Sequence, residues 1–188
     1  RAILEYVQKD FRYVSMSFGV NALEPHPTDE VFKNKYGDCK DLSLLGKTML
    51  KIAGVDSSLC LFNTEFSLSD PQYDLPVPSL FDHVILLVKD PNGESFYADP
   101  LLKGYDIGEF PLAYQGAYLF EINEAGGKFA KFPIFDEKRN YTSSVRTVTI
   151  DEDGSALIEA DATWDLDFSV EQREKLNTLT KKQKEKFY

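Results

Sequence analysis

The chain has 188 residues, 43% of them hydrophobic, which fits one domain or one domain with part of a second. It carries 31 acidic and 21 basic residues, and the net charge of −10 argues against a nucleic-acid partner, because phosphates require a basic surface. No apolar run approaches the roughly 20 residues that span a bilayer, so we expect no transmembrane segment. The chain opens at Arg1 inside an amphipathic pattern, which favours a fragment of a longer protein, so a missing leader carries no information about location.

The first third of the chain predicts three helices. Residues 1–8 carry an apolar helical face, and 11–18 ("FRYVSMSF") are extended or irregular. After a Pro-punctuated loop at 21–27, Thr28 is placed to cap a short helix that Gly37 ends.

The third helix is the clearest element of the sequence. Asp38 is its expected N-cap, Asp41 is placed to reach back toward it, and Gly54 supplies the stop. Extending its apolar face backward by one turn reaches Cys39. That face comprises Leu42, Leu45, Met49, Ile52 and Ala53.

Strand patterns dominate the middle of the chain. A strand at 57–66 is followed by a polar, Pro-rich loop at 67–79, and two further strands flank the turn "DPNG". Beyond Leu101 the pattern weakens into loops with short strands. The two flanking strands cover 82–90 and 94–100.

The pattern of apolar and polar residues changes near Tyr141. Apolar and polar residues alternate on both sides of "DEDG", which predicts a second hairpin. A helix should follow from a capping-box pattern at Ser169 and Gln172, with a thin apolar stripe. Trp164 lies outside the first domain and is expected to serve packing.

Cys39 occupies a position that suits a nucleophile. Unpaired N–H groups and the positive end of the dipole at a helix start stabilise a thiolate, and the same groups can hold an oxyanion. The charges of Asp38 and Asp41 oppose the thiolate, so a general base would have to outweigh them. A small buried structural cysteine is the competing interpretation.

Only two histidines can supply that base. His26 lies between prolines in a loop, whereas His83 begins a buried strand, where an imidazole is costly unless it has a partner. His83 is therefore the candidate, with a satisfied core histidine as the alternative. A four-ligand zinc site would need both histidines and both cysteines at unusual spacings, so we expect no metal and no cofactor.

The turn "DPNG" predicts which acid meets His83. Pro91 and Gly93 suit a three-residue loop, a type I turn followed by a bulge, which pairs Asp90 with Glu94. In that register His83 and Asp99 share a face as diagonal neighbours, roughly 7 Å apart in the backbone. A two-residue loop would separate them.

Three segments in the order Cys, His, Asp resemble the catalytic blocks of the transglutaminase-like superfamily: "KYGDCKDLSLL", "FDHVILLV" and "YADP". The likeness covers about residues 1–120 and is greatest to bacterial multidomain members with a KYGDCKD-type motif. In those proteins a transglutaminase-like core lies between two β-rich domains. "VRTVTIDEDGSALIEA" resembles the opening of the C-terminal one.

The resemblance implies an α+β, papain-like fold in which the nucleophile's helix packs on an antiparallel sheet. It implies Cys39 as nucleophile, His83 as general base and Asp99 as orienting acid. Tyr13 is a candidate near the oxyanion, with Asp38 and Tyr97 as further candidate substrate contacts. The expected organisation is a core at 1–122, a linker at 123–140, and a partial β-rich domain at 141–188 that ends in a helix.

Several functions are compatible with these features. We expect a hydrolytic cysteine acyl-transfer enzyme that acts on amide bonds of a peptide or protein, because only Phe81 and Tyr97 could wall a dry acceptor tunnel. A cross-linking transglutaminase and a non-catalytic assembly module of a larger cell-envelope protein are the alternatives. By resemblance the setting is periplasmic or secreted, and the sequence leaves the oligomeric state open.

Overall fold

The computed structural model describes residues 1–16, 19–65, 77–136 and 138–184. Most of the Pro-rich loop expected at 67–79 lies outside the described residues, as do the end of the "FRYVSMSF" segment and the last four residues of the expected C-terminal helix. The chain forms two compact units, Arg1–Ile134 and Phe135–Tyr188. Within the described ranges, no helix combines the length and apolar character needed to cross a membrane.

The first unit combines helices with an antiparallel sheet, as an α+β fold requires. Its helices are α1 (Ala2–Asp10), α2 (Thr28–Asn34) and α3 (Cys39–Ile52). Its strands are β1 (Arg12–Tyr13), β2 (Tyr36–Gly37), β3 (Ser57–Phe62), β4 (His83–Lys89), β5 (Ser95–Ala98), β6 (Tyr118–Glu121) and β7 (Lys128–Lys131). The short β1 and β2 pair in parallel, and the others form a sheet of order β5-β4-β3-β6-β7 with antiparallel neighbours. The expected linker at 123–140 therefore contains the edge strand β7.

Helix α3 is held by an apolar cluster that its own periodicity creates. Leu42 and Leu45 are 1% and 2% exposed and belong to one cluster with Val7 of α1 and Val31 of α2. Burial of each leucine stabilises the fold by roughly 1.5–3 kcal/mol. Ile52 is 82% exposed, so its assignment to the buried face was wrong, because the helix runs past the edge of its apolar partners.

The two faces of the sheet have different partners. On one face Leu86, Val88 and Ala98 pack with Leu4 of α1 and Leu50 of α3. The other face carries aromatic rings, with Phe62 and Phe132 in edge contact at 5.0 Å between centroids. Both faces of the sheet therefore carry buried side chains, which fixes the register of the strands.

The ends of α2 differ from the prediction. Pro27 is the N-cap and Thr28 is already helical, so no side-chain cap forms. The helix stops at Lys35, which is left-handed at φ 59°, two residues before the predicted stop at Gly37.

Lys35 has a tertiary reason to adopt this costly conformation. Its Nζ lies 4.1 Å from the centroid of the Phe32 ring and 4.3 Å from that of Phe11, and it donates a hydrogen bond to the Tyr6 hydroxyl at 2.7 Å. Cation–π contacts of this kind each contribute about 0.5–2 kcal/mol. A single ammonium group therefore ties α1 to the end of α2.

The second unit contains β8 (Thr142–Ile150), β9 (Ala156–Trp164), α4 (Leu166–Thr178) and α5 (Lys181–Lys184). Its hairpin is confirmed, with Ile150 paired to Ala156 and Thr142 paired to Trp164, the only tryptophan of the chain.

The capping box expected at Ser169 and Gln172 was wrong. Helix α4 begins at Leu166 after the N-cap Asp165, and Ser169 lies one turn inside it. No side-chain cap is formed at Asp165, whose carboxylate bonds to the Arg139 guanidinium and the Asn140 amide. The sequence could not reveal this competition, because Arg139 lies 26 residues away.

Candidate active site

A capping box fixes the start of α3, as predicted. The Asp38 carboxylate accepts a hydrogen bond from the Asp41 amide at 3.2 Å, and the Asp41 carboxylate accepts one from the Asp38 amide at 3.1 Å. Cys39 is the first residue of the helix and is partly exposed. The thiol therefore lies at the positive end of the helix dipole.

Both neighbouring carboxylates have partners. The Lys40 ammonium hydrogen-bonds to Asp38. The Asp41 side chain is fully buried and accepts hydrogen bonds from the His26 amide at 2.7 Å and from His26 Nδ1 at 3.1 Å. The Lys40 ammonium thus offsets the charge of Asp38, which reduces the opposition of that carboxylate to a thiolate at Cys39, whereas Asp41 is held by hydrogen bonds.

The β4–β5 hairpin has the predicted register. Leu86 pairs with Ala98 and Lys89 with Ser95, and the Asp90 amide donates to the Glu94 carbonyl at 2.8 Å. Gly93 adopts φ 87°, the left-handed conformation that this loop demands.

His83 and Asp99 meet at the end of this hairpin. The His83 Nε2 atom lies 2.8 Å from Asp99 Oδ2, and these side chains are 12% and 6% exposed. The other oxygen, Oδ1, accepts from the Leu101 amide at 2.8 Å. Because a carboxylate can only accept, the ring donates from Nε2, which leaves Nδ1 for a second partner.

That second partner is Cys39. Burial opposes a charged imidazole, but hydrogen bonds from His83 to Asp99 and to Cys39, together with their negative charges, outweigh it and raise the pKa of His83 to about 10. A protonated imidazole between a carboxylate and a sulfur favours the thiolate form of that sulfur. The structure thus brings Cys39, His83 and Asp99 together.

Three residues that the sequence did not indicate support this group. Gln8 of α1 donates to the Asp99 carbonyl at 3.1 Å, and the Phe62 ring lies in edge contact with the His83 ring at 5.3 Å. Tyr114 packs on the same Phe62, and burial, followed by the charge of Asp99, raises the pKa of Tyr114 to about 12. These contacts join segments far apart in the chain, which periodicity does not detect.

His26 also makes contacts that the sequence did not indicate. Its bonds to Asp41 hold the segment before α2 against the start of α3, and Asn21 Nδ2 lies 2.9 Å from His26 Nε2. The flanking prolines were the available signal, since they pre-shape a loop that can carry such a contact.

A cavity of about 440 Å³ opens beside Cys39 and His83. Tyr13, Asp38 and Phe81 also line it. A separate cavity of about 310 Å³ lies near α1 and the β4–β5 hairpin, away from Cys39.

Tyr97 does not line the cavity beside Cys39. Its ring packs on Phe132 at 4.9 Å between centroids, and its hydroxyl donates to Glu121 at 3.4 Å. Tyr97 shares the sheet face of His83 as expected from the register, but the cavity opens on the opposite side of β4, where Val84 lies. Within the described ranges, no group of three or more His, Cys, Asp or Glu side chains is arranged to hold a metal ion.

No protein-family model and no curated protein matches the chain. Among solved structures, the chain is similar to a protein of Parabacteroides distasonis described as a "putative protease", with a TM-score of 0.52 and 13% identity. The match covers 70% of this chain. It spans only 23% of the other protein's length. At this identity the likeness is one of fold.

Proposed function

We propose that the chain is a transglutaminase-like cysteine enzyme with a papain-like core, and that it hydrolyses amide or peptide bonds through Cys39, His83 and Asp99. The observation that carries the proposal is the position of His83, hydrogen-bonded both to Asp99 and to Cys39 within a buried site. The protease description of the structural neighbour agrees with this class of reaction.

The proposed reaction begins with an ion pair. Cys39 passes its proton to His83, and the thiolate attacks the carbonyl carbon of a substrate amide. The resulting oxyanion is held by backbone N–H groups at the start of α3. The amides of Asp41 and Leu42 bond to Asp38, whereas those of Cys39 and Lys40 have no protein partner among the described residues. These two N–H groups are the proposed oxyanion donors.

The second half of the reaction releases the products. His83 gives its proton to the leaving nitrogen as the carbon–nitrogen bond breaks, which leaves a thioester on Cys39. Water then loses a proton to His83 and attacks the thioester, so that the carboxylic acid departs and the thiol is restored. Asp99 keeps the imidazole in the orientation that both proton transfers require.

The thioester is the species to test for. The protein is incubated with a mixture of peptides, quenched in acid and weighed intact. We expect a mass adduct on Cys39 that hydroxylamine removes and that is absent from Cys39→Ala. A folded protein that forms no adduct and releases no peptide fragments over the same period would favour a non-catalytic module.

A further inference from the structure

One side of the cavity beside Cys39 is apolar. Leu61 of β3 pairs with Val84 of β4, so both side chains lie on the same sheet face. Ile122 follows β6 and donates its amide to the Leu59 carbonyl at 2.8 Å, which places Ile122 beside Leu59 on that face. These four residues, here named the apolar strip, are half-buried and line the cavity.

The charged groups of the same cavity already have hydrogen-bond partners. Asp38 bonds to Lys40, and the Asp82 carboxylate accepts from the Thr64 amide at 2.8 Å and from its hydroxyl at 2.9 Å. A charged substrate side chain placed against the strip would lose its water against apolar surface, and Asp82, which hydrogen-bonds to the neutral Thr64, precedes His83 at the end of the cavity away from Leu59. An apolar side chain would instead cover the exposed parts of the strip.

The position of the strip relative to His83 indicates which part of the substrate contacts it. Because His83 must protonate the leaving nitrogen, the leaving group lies at the His83 end of the cavity. The strip begins at Val84, next to His83, and its other end, where Leu59 pairs with Leu86, lies about 10 Å farther along the strand from His83. The part of the substrate that stays on the sulfur is the part that meets the strip.

We propose that the apolar strip is an acyl-side subsite that selects a medium-sized apolar side chain on the residue whose carbonyl Cys39 attacks. Leu59, Leu61, Val84 and Ile122 are its specificity-determining residues. This inference rests on the proposed function, since it assumes that Cys39 forms the acyl bond.

The test uses peptidyl acyloxymethyl ketones that differ only in the acyl-side residue: Leu, Phe, Lys or Asp. The rate of Cys39 labelling is measured by intact mass, with iodoacetamide as a probe that has no side chain to recognise. We expect the Leu and Phe probes to label Cys39 roughly 10- to 100-fold faster than the Lys and Asp probes.

Two variants test whether the preference for the Leu and Phe probes depends on the apolar strip. Ile122→Glu should slow the Leu probe about tenfold and favour the Lys probe over the Asp probe, because it adds a carboxylate to the subsite. The matched control is Ile107→Glu, a half-buried residue that lines the separate cavity, and it should leave the order of probes unchanged.

The two proposals fail in different ways. Fast labelling by iodoacetamide with equal rates for all four ketones in the wild-type protein would overturn the subsite and leave the nucleophile standing. Slow labelling of Cys39 by every reagent would overturn both. Loss of the Leu preference in Ile107→Glu, with the fold intact, would also overturn the assignment to the strip.

Discussion

The two cysteines of this chain lie in different surroundings. Cys60 is 0% exposed in the middle of β3, and burial, followed by the charge of Glu121, raises the pKa of the Cys60 thiol to about 12. Cys39 lies at a helix start and is hydrogen-bonded to His83. Burial holds Cys60 as an unreactive thiol, whereas Cys39 has a histidine that can accept its proton, so we expect Cys39 to be the more nucleophilic of the two.

We predict that iodoacetamide modifies Cys39 in the folded protein while Cys60 stays unmodified at pH 7. A thiol with a pKa near 12 is thiolate in only about one molecule in 10⁵ at that pH. Peptide mapping after timed alkylation measures both rates, and unfolding in denaturant should make them similar. Equal rates in the folded protein, or faster modification of Cys60, would refute the assignment.

His83 supplies a pH-dependent contribution to stability. Its pKa of about 10 in the folded chain lies above the ordinary value of 6.5, so the folded state holds the proton more tightly. The contribution is complete below pH 6.5 and is lost as the pH rises through 10.

Asp99→Asn should expose this dependence. We expect a decrease of about 3 kcal/mol in the free energy of unfolding at pH 6. The decrease should be smaller near pH 10, because wild-type His83 then begins to lose its proton and the Asp99 charge stabilises it less. Urea titrations at several pH values measure it. Asp153→Asn, an exposed acid in the second unit, is the control and should lack this trend. A difference between wild type and Asp99→Asn that does not vary with pH would contradict the account.

Among the elements, the start of α3 depends on a close backbone approach. A Cβ added at Gly37 would lie 2.6 Å from the Cβ of Asp41, closer than two carbon atoms can pack. A side chain there must displace the first turn of α3, including its capping box. Gly54, in contrast, has φ +76° and open space around its Cβ position.

We therefore predict that Gly37→Ala lowers the free energy of unfolding by about 1–3 kcal/mol and slows alkylation of Cys39. Gly54→Ala should cost about 1 kcal/mol through backbone strain alone and leave the alkylation rate unchanged. Thermal unfolding and timed alkylation of both variants give the comparison. An unaltered Cys39 rate in Gly37→Ala would mean that the capping box does not position the thiol.

The sequence predicted those elements whose signals are local. The capping box at Asp38 and Asp41 and the turn at Gly93 involve residues three or four apart, and both proved correct. Since the β4–β5 register follows from turn length, the proximity of His83 and Asp99 could be deduced before any coordinates.

Elements with distant partners were harder to predict. Helix α2 ends at Asn34, and the ammonium of the left-handed Lys35 that follows meets the rings of Tyr6 and Phe11, which lie on another segment. The Asp41–His26 bonds likewise join residues 15 positions apart. Hydrophobic periodicity carries no information about such contacts, so they emerge only from the fold.

At the scale of the whole molecule, the lining of the cavity and the charge of the chain bear on which acceptor the proposed enzyme would use. A cross-linking enzyme must favour a dilute amine over water at roughly 55 M, which requires a dry acceptor tunnel. Phe81 and the half-exposed Tyr13 line the cavity, whereas Tyr97, which the sequence offered as a tunnel wall, does not. The net charge of −10 would attract lysine-bearing partners and is the main feature favouring transfer.

We predict that hydrolysis exceeds amine transfer. The protein is incubated with a glutamine-containing protein and a labelled primary amine. Both reactions release one ammonia when the thioester forms, so hydrolysis is measured as the released ammonia minus the incorporated label. Cys39→Ala is the control for both readings. Cys39-dependent incorporation of the amine faster than hydrolysis would show that the chain is a cross-linking enzyme instead.

The position of the single tryptophan has a consequence for spectroscopy. Trp164 ends β9 in the unit Phe135–Tyr188, whereas Cys39 and His83 belong to the unit Arg1–Ile134. Intrinsic fluorescence excited at the red edge of the indole band therefore reports on the hairpin unit alone. Circular dichroism, in contrast, reports on both units. A melting curve from each method on one sample would measure whether the two units unfold as one cooperative body.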